Sequence, residues 1–232
     1  MLRNRHLLRA AVQVNGSKPN MKRIIIFANG ELPDLNKARE LIQDDDYIIC
    51  ADGGTHHALG LDLQPDLIIG DMDSAEKGRL QKLKDAEVSI ELFPRDKNET
   101  DLELALDRAV KLDPEQVIIV AALGGRLDQT IANITLLTDP RLSQLDIRLD
   151  DGVEEIFFCR DEVRVRGRAG DIVSLIPWGG AAAGVQTINL KWVLKKETLY
   201  PDKTRGISNE MLGESASVSI GAGLLLVVHR RE

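Results

Sequence analysis

The hydrophobic pattern changes character about two thirds of the way along the chain. Ile24 to Ala28 is an unbroken apolar run rich in β-branched residues, the mark of a strand buried on both faces. Similar runs recur at Ile48–Ala51, Leu67–Ile69 and Val117–Leu123, and Val88–Phe93 reads as another strand. Between them lie segments of helical character. Leu35–Gln43 and Ala75–Lys84 have helical composition, the second reading as an exposed helix. Leu102, Ala105, Leu106, Ala109 and Val110 recur at helical spacing, as do Ile131, Ile134, Thr135 and Leu137. Strand and helix in alternation predict βα units, hence a three-layer α/β/α domain with a mainly parallel sheet.

From about residue 153 the helical periodicity disappears. Short strand-like runs follow at Glu155–Cys159, Glu162–Val165, Asp171–Ile176, Val185–Leu190, Glu197–Tyr200, Ser215–Ile220 and Leu224–His229. Turn residues such as Trp178-Gly179-Gly180 and Gly221-Ala222-Gly223 separate them. This predicts an all-β domain, a sandwich or a rolled barrel. The expected division is an N-terminal extension over 1–20, an α/β domain over 21–152 and a β-sandwich domain over 153–232. Residues 1–20 carry Arg3, Arg5, Arg9 and Lys18 and no acid; they are expected to be a disordered extension, with Met21 a candidate start.

Composition narrows the function classes. A net charge of −7 argues against a nucleic-acid partner, and aromatic residues at 3% argue against a base-stacking platform. The apolar runs are too short for a membrane span. Cys50 and Cys159 both fall in apolar runs and read as buried free thiols of a cytoplasmic protein.

In an open parallel sheet, ligands bind at the carboxyl ends of the strands. The segments expected there are Asp52-Gly53-Gly54-Thr55, Gly70-Asp71-Met72-Asp73-Ser74, Arg95 to Asp101, and Gly124-Gly125-Arg126-Leu127-Asp128-Gln129. Each has a plain structural explanation. Ser74 and Asp128 can cap helices, Thr100 and Glu103 fit a capping box, and Gly53-Gly54 can be a turn. Capping does not account for Asp71, which precedes the cap position, nor for acids recurring at successive strand ends. Asp71 and Asp73, two apart on a strand end, offer the hard oxygen ligands that Mg²⁺ takes alongside phosphate oxygens. Gly53-Gly54 and Gly124-Gly125 allow backbone to approach phosphate. Arg126 can fork onto phosphate oxygens and Lys97 can act as a point charge. No Walker A or dinucleotide glycine fingerprint is present. The residues thus point to a metal-assisted phosphoryl-type transfer from a nucleotide.

In order, these stretches resemble the thiamin pyrophosphokinase family. The matching segments are Ala51-Asp52-Gly53-Gly54, Gly70 to Ser74, Lys97 to Ala105, and Leu123 to Gln129. Asn189 to Leu194 and Gly206 to Glu210 continue the match in the second domain. The resemblance implies an Mg²⁺-dependent enzyme that transfers the pyrophosphoryl group of ATP to the hydroxyl of thiamin, releasing AMP. It also implies a homodimer with thiamin bound between the first domain of one subunit and the second domain of the other. Carried over by position, Asp71, Asp73 and Asp101 are the metal ligands and, with Arg126, the catalytic set. Asp52, Gly53, Gly54, Lys97, Thr100, Gly124, Gly125, Arg126, Asp128 and Gln129 would bind ATP and its phosphates. Ser208, Asn209 and Trp192 would meet thiamin, although the apolar run around Trp192 suits a core residue equally.

The sequence departs from the family pattern at Asn98, where an Asp is common, at Gln129, where His is common, and at Asn189, where Gly is common. Asn98 brings an amide oxygen without charge, and Asn189 can share glycine's left-handed backbone. Three rival readings stand beside the enzyme. They are a non-catalytic sensor of thiamin or nucleotide, a pyrophosphokinase for another heterocyclic alcohol such as a pterin, and a hydrolase in which the acids activate water.

Overall fold

The computed structural model describes residues 22–71 and 88–232. The helix expected over Ala75–Lys84, and with it Asp73 and Ser74, lies outside the described residues, as does the 1–20 extension. The first half contains strands β1 (Arg23–Phe27), β2 (Tyr47–Ala51), β3 (Leu67–Gly70), β4 (Ser89–Leu92), β5 (Gln116–Val120) and β6 (Asp146–Asp150). Its helices are α1 (Leu35–Glu40), α2 (Thr55–Gly60), α3 (Asp101–Leu112) and α4 (Leu127–Leu136). All the pairings among β1 to β6 are parallel, and β1 is flanked by β2 on one side and β5 on the other.

Successive residues of the central strands face opposite layers, as strand geometry requires. Ile24, Ile26, Ile49, Leu67, Ile69, Val117 and Ile119 pack with Leu102, Ala105, Leu106 and Ala109 of α3. Ile25, Phe27, Ile48, Cys50, Ile68 and Val120 pack on the other face with Ala38 of α1 and Ala58 of α2. Burial on both faces explains why these strands are written as continuous apolar runs.

The second half is built from β7 (Glu154–Cys159), β8 (Glu162–Arg166), β9 (Ile172–Pro177), β10 (Ala182–Ile188), β11 (Lys195–Leu199), β12 (Asn209–Glu210), β13 (Ser215–Ser219) and β14 (Leu225–Arg230). These strands form a sandwich, but one of its sheets is the α/β sheet itself, continued. β7 pairs antiparallel with β6, and β14, β9 and β12 follow outward, so the sheet order is β12-β9-β14-β7-β6-β5-β1-β2-β3-β4. The facing sheet has the order β11-β10-β13-β8. Between the two sheets lie Phe157, Val173, Leu175, Leu225 and Val227 on one side and Val165, Val185, Ala216 and Val218 on the other.

The hydropathy reading assigns no element to Asp146–Asp150. Leu145, Ile147 and Leu149 alternate with Asp146, Arg148 and Asp150, which is the period of a half-buried strand. The polar side of that alternation is occupied by a charged cluster at the seam. Arg148 contacts Asp146 at 2.8 Å and also pairs with Glu155. Arg231 forks onto Asp150 at 2.7 and 2.8 Å. His229 is fully buried, with Nδ1 3.2 Å from Glu155 and Nε2 3.1 Å from Asp171. Both contacts are hydrogen bonds only when the ring carries a proton on each nitrogen.

Burial pushes the Glu155 carboxyl up. The bond to His229 and the charges of Arg148 and Arg231 outweigh that and hold it at about 2. Asp171 is buried too, yet backbone donors and His229 likewise hold its carboxyl below the ordinary range. For Asp150, burial prevails over Arg231 and the carboxyl sits above its ordinary value. A carboxylate held low stabilises the fold above its unfolded pKa and loses that contribution as pH falls toward the folded value. Unfolding stability is therefore expected to drop as pH falls from about 4.5 toward 2, more steeply than in Glu155→Gln, when followed by urea titration across pH. Asp150 acts in the opposite sense and softens the drop. His229→Leu is expected to cost about 1–3 kcal/mol, because buried carboxylate oxygens of Glu155 and Asp171 lose a hydrogen-bond partner.

Candidate active site at the strand ends

The carboxyl ends of β1 to β5 converge on a cavity of about 660 Å³, within the range of roughly 300–1,000 Å³ usual for small-molecule sites. It opens where β2, β3 and β4 run to one side of β1 and β5 lies on the other, the switch point at which the loops of a parallel sheet diverge. Its walls include Asp52, Asp71, Lys97, Thr100, Asp101, Gly124, Gly125, Arg126 and Gln129.

Local chain geometry positions these groups. Asp52 has a left-handed backbone, φ 41°, and opens a single 3₁₀ turn over Asp52–Gly54 that leads directly into α2. Thr100 is the N-cap of α3, its hydroxyl accepting from the Glu103 amide at 3.2 Å, so the capping reading holds for this residue. The cap places Asp101 in the first helical turn at the cavity. Lys97 Nζ lies 2.8 Å from Asp101 Oδ1, bringing the point charge and the carboxylate together. Arg126 precedes α4 and forks onto Asp128 at 3.1 and 2.6 Å. That bond and the Asp128 charge raise the already high guanidinium pKa, and the same bond holds the Asp128 carboxyl low. Both are fully charged in an open position, so Arg126 can exchange a solvated partner for an incoming anion. Asp128 does not cap α4; the cap position is Arg126 and has no side-chain cap bond.

The glycines answer to the protein's own packing. A Cβ on Gly54 would come within 2.0 Å of the Phe27 carbonyl oxygen, and one on Gly53 within 2.4 Å of Asn29 Oδ1. One on Gly70 would stand 2.8 Å from Asp52 Cβ. The backbone of β1 leaves no room for a side chain at Gly54, whether or not phosphate is present, whereas at Gly53 the neighbour is the end of the Asn29 side chain, which can move. Neither glycine lines the cavity, and neither does Asp128.

Trp192, Ser208 and Asn209 do not line it either. Asn209 is buried, and its amide clips two segments together. Oδ1 accepts from the Trp192 amide at 2.9 Å, and Nδ2 donates to the Trp192 carbonyl at 2.7 Å. This holds the Trp192 backbone while the indole stays half exposed, with Lys191 Nζ 5.0 Å from its ring centroid. Ser208 has φ 57° and its amide donates to Ser174 Oγ. Asn189 also takes the left-handed conformation, φ 60°, expected of a residue standing where glycine is common. Ile188, Trp192, Val193, Ile207 and Leu212 are large hydrophobic residues left exposed in the β half.

The sequence reading passed over Asn29, Gly30, Glu31 and Asn133, which line the cavity. The first three directly follow β1, so the strand-end rule already applied to β2–β5 would have found them. Both cysteines are buried and free. Burial pushes the Cys50 thiol far up and the Cys159 thiol to about 11, so neither is a nucleophile. Among the described residues no helix is long and apolar enough to cross a membrane.

A cavity at the switch point of a parallel sheet, lined by carboxylates and bases, in a chain that continues into a β-sandwich, defines an α/β protein with a ligand site at its strand ends. Two family models then match in succession: the thiamin pyrophosphokinase catalytic domain over residues 38–149, and the thiamin pyrophosphokinase vitamin B1 binding domain over 160–225. The chain is 28% identical over 213 residues to thiamine pyrophosphokinase of Bacillus subtilis, covering 90% of this chain and 98% of that one. The crystal structure of thiamine pyrophosphokinase from Bacillus subtilis superposes with a TM-score of 0.82 at 25% identity, covering 91% of this chain and all of the other. That of thiamin pyrophosphokinase from Geobacillus thermodenitrificans gives 0.78 at 25% identity over 90% and 98%. The chain belongs to the thiamin pyrophosphokinase family.

Gly54→Ala is expected to lower stability by about 2–3 kcal/mol, since the added methyl must displace backbone. Urea unfolding checks this. A change within about 0.5 kcal/mol would show that the strand ends yield more easily than their spacing indicates.

Proposed function

We propose that this chain transfers the pyrophosphoryl group of ATP to the hydroxyl of thiamin, giving thiamin diphosphate and AMP. It would work as a cytoplasmic homodimer with Mg²⁺. The observation that carries the reading is the clustering of Asp71, Asp101, Lys97 and Arg126 around one cavity at the sheet's switch point, in a chain matched by both domains of the family. In the reaction the thiamin oxygen bonds to the β-phosphorus, the bond from that phosphorus to the α,β-bridging oxygen breaks, and the hydroxyl proton passes to solvent.

The donor set suits Mg²⁺, which takes one or two carboxylates and completes its shell with water and phosphate oxygens. Among the described residues no three His, Cys, Asp or Glu form a ready-made metal cage. Asp71 and Asp101 would therefore hold the metal with substrate oxygens, joined by Asp73. When bound, the metal neutralises charge on the phosphates. Lys97 and Arg126 bind and orient the phosphate chain and stabilise charge developing on it, so catalysis is mainly positioning and electrostatics. Asp73 or Asp101 would orient the attacking hydroxyl. Asn98 adds no charge to this set, and neighbouring Asp96 is the candidate to compensate.

Trp192, Ser208 and Asn209 are the proposed thiamin contacts, with Asn209 acting through its hold on Trp192. They do not line their own subunit's cavity, and the exposed apolar residues around them suit a composite site completed by a second subunit. The free buried cysteines fit a reducing compartment.

Purified protein with ATP, Mg²⁺ and thiamin is expected to form AMP and thiamin diphosphate in equal amounts. ADP formation, nucleotide cleavage without thiamin, or binding without turnover would each defeat this reading, the last two favouring a hydrolase or a sensor. Asp71→Asn is expected to lower kcat at least about 100-fold with the fold intact by circular dichroism. Mixing inactive Asp71→Asn with inactive Trp192→Ala should restore roughly a quarter of wild-type activity if sites form between subunits; no restoration would argue for sites within one chain.

A further inference from the structure

The loop after β1 forms a cavity wall whose chemistry the phosphate and metal roles leave unused. Arg95, Lys97, Asp71 and Asp101 follow β3 and β4, on one side of the switch point. On the other side, after β1 and β5, the wall carries Asn29, Glu31, Gln129 and Asn133 beside Arg126. Three of these are neutral amides and one is an acid. An anionic side chain there disfavours phosphate oxygens and suits hydroxyl or amino donors.

We propose that Glu31 accepts hydrogen bonds from the hydroxyl or amino donors of the nucleoside, on a wall held in place by His57, so that nucleotide choice is set at the β1–β5 end of the cavity. The inference rests on the ATP-dependent reading above.

The wall is fixed before any ligand arrives. The Gly30 amide donates to the Ala121 carbonyl at 2.7 Å, and the Glu31 amide to the Leu123 carbonyl at 2.8 Å. His57, from α2, has Nε2 2.9 Å from the Gly30 carbonyl, which makes that nitrogen the donor. Burial lowers the His57 pKa, which favours the neutral ring, and Nε2 keeps its proton in that state. The Glu31 carboxylate lies against Gly124, where a Cβ would come within 2.7 Å of Oε2. Among the described residues that carboxylate has no hydrogen-bond or ion-pair partner. Glu31 is exposed at the cavity wall, and a solvated carboxylate held there by a backbone-bonded loop is placed to exchange water for donors on a ligand. His57 is a positioning residue in this account, acting only through the Gly30 carbonyl.

The test measures KM and kcat, and nucleotide affinity by titration calorimetry, for ATP, 2′-deoxy-ATP, 3′-deoxy-ATP and inosine triphosphate. Wild type, Glu31→Ala and Glu31→Gln are compared. Glu31→Ala is expected to raise KM and Kd for ATP about tenfold, a larger change than in kcat, with Glu31→Gln between the two. An analogue lacking the recognised donor should bind more weakly than ATP to wild type but not to Glu31→Ala. A deoxy analogue behaving so assigns the ribose, and inosine triphosphate the base. His57→Ala should raise KM for ATP, and His57→Gln, whose amide can donate to the Gly30 carbonyl, should recover most of it. Unchanged ATP affinity in Glu31→Ala, identical analogue penalties in all three proteins, or a rise confined to thiamin KM would overturn the proposal. Wild type that binds nucleotides in the Glu31-dependent pattern yet forms no AMP would defeat the proposed reaction and leave this inference standing.

Discussion

A parallel sheet leaves an edge, and the rest of this structure depends on how that edge is paired. β6 ends the parallel half with one side of its backbone unpaired until β7 turns back and runs antiparallel against it. The turn is secured by its own side chains: Asp151 accepts from the Val153 and Glu154 amides at 2.8 and 2.7 Å, and Asp150 from the Gly152 amide at 2.9 Å. Pairing satisfies donors and acceptors that would otherwise form a template for aggregation. It also fixes the β half to the α/β half through a shared ladder. The polar groups gathered there, Arg148, Asp150, Glu155, Asp171, His229 and Arg231, are costly to bury singly and tolerable only as a mutually satisfied set.

The cavity end follows from the same sheet. Strands that extend no further than Phe27, Ala51, Gly70, Leu92 and Val120 place five loops side by side, and glycines allow those loops to touch. Gly54 against Phe27, Gly70 against Asp52 and Gly30 against Ala121 make a tightly packed rim. Charged side chains can then project from a platform that barely yields, which is what electrostatic catalysis asks of a protein.

Much of this was legible in the sequence, for physical reasons. Strands buried on both faces must be continuously apolar, so β1, β2, β3 and β5 stand out. Acids and bases recur at the strand ends in the sequence, and Asp71, Lys97, Asp101 and Arg126 among them do line one cavity. What escaped was whatever answers to a partner in space. β6 alternates because a charged cluster from distant β7 and β14 covers one side. α2 begins inside the Gly-Gly turn and carries His56-His57, with little periodicity to display. The glycines at 53 and 54 look like a phosphate loop, but the Phe27 backbone that excludes a side chain at Gly54 lies far away in sequence. The hold of Asn209 on the Trp192 backbone appears only once the two segments are side by side.

The continuous sheet has a consequence for how the protein can be divided. The change of pattern near residue 152 separates two styles of hydrophobic spacing, and the two family models meet on either side of it. The hydrogen-bond ladder ignores that line. A cut there would strip β6 of its partner strand, leave Arg148 without Glu155, and detach Arg231 from Asp150. The halves can be told apart by their hydrophobic spacing, yet one hydrogen-bond ladder and one set of ion pairs run through both.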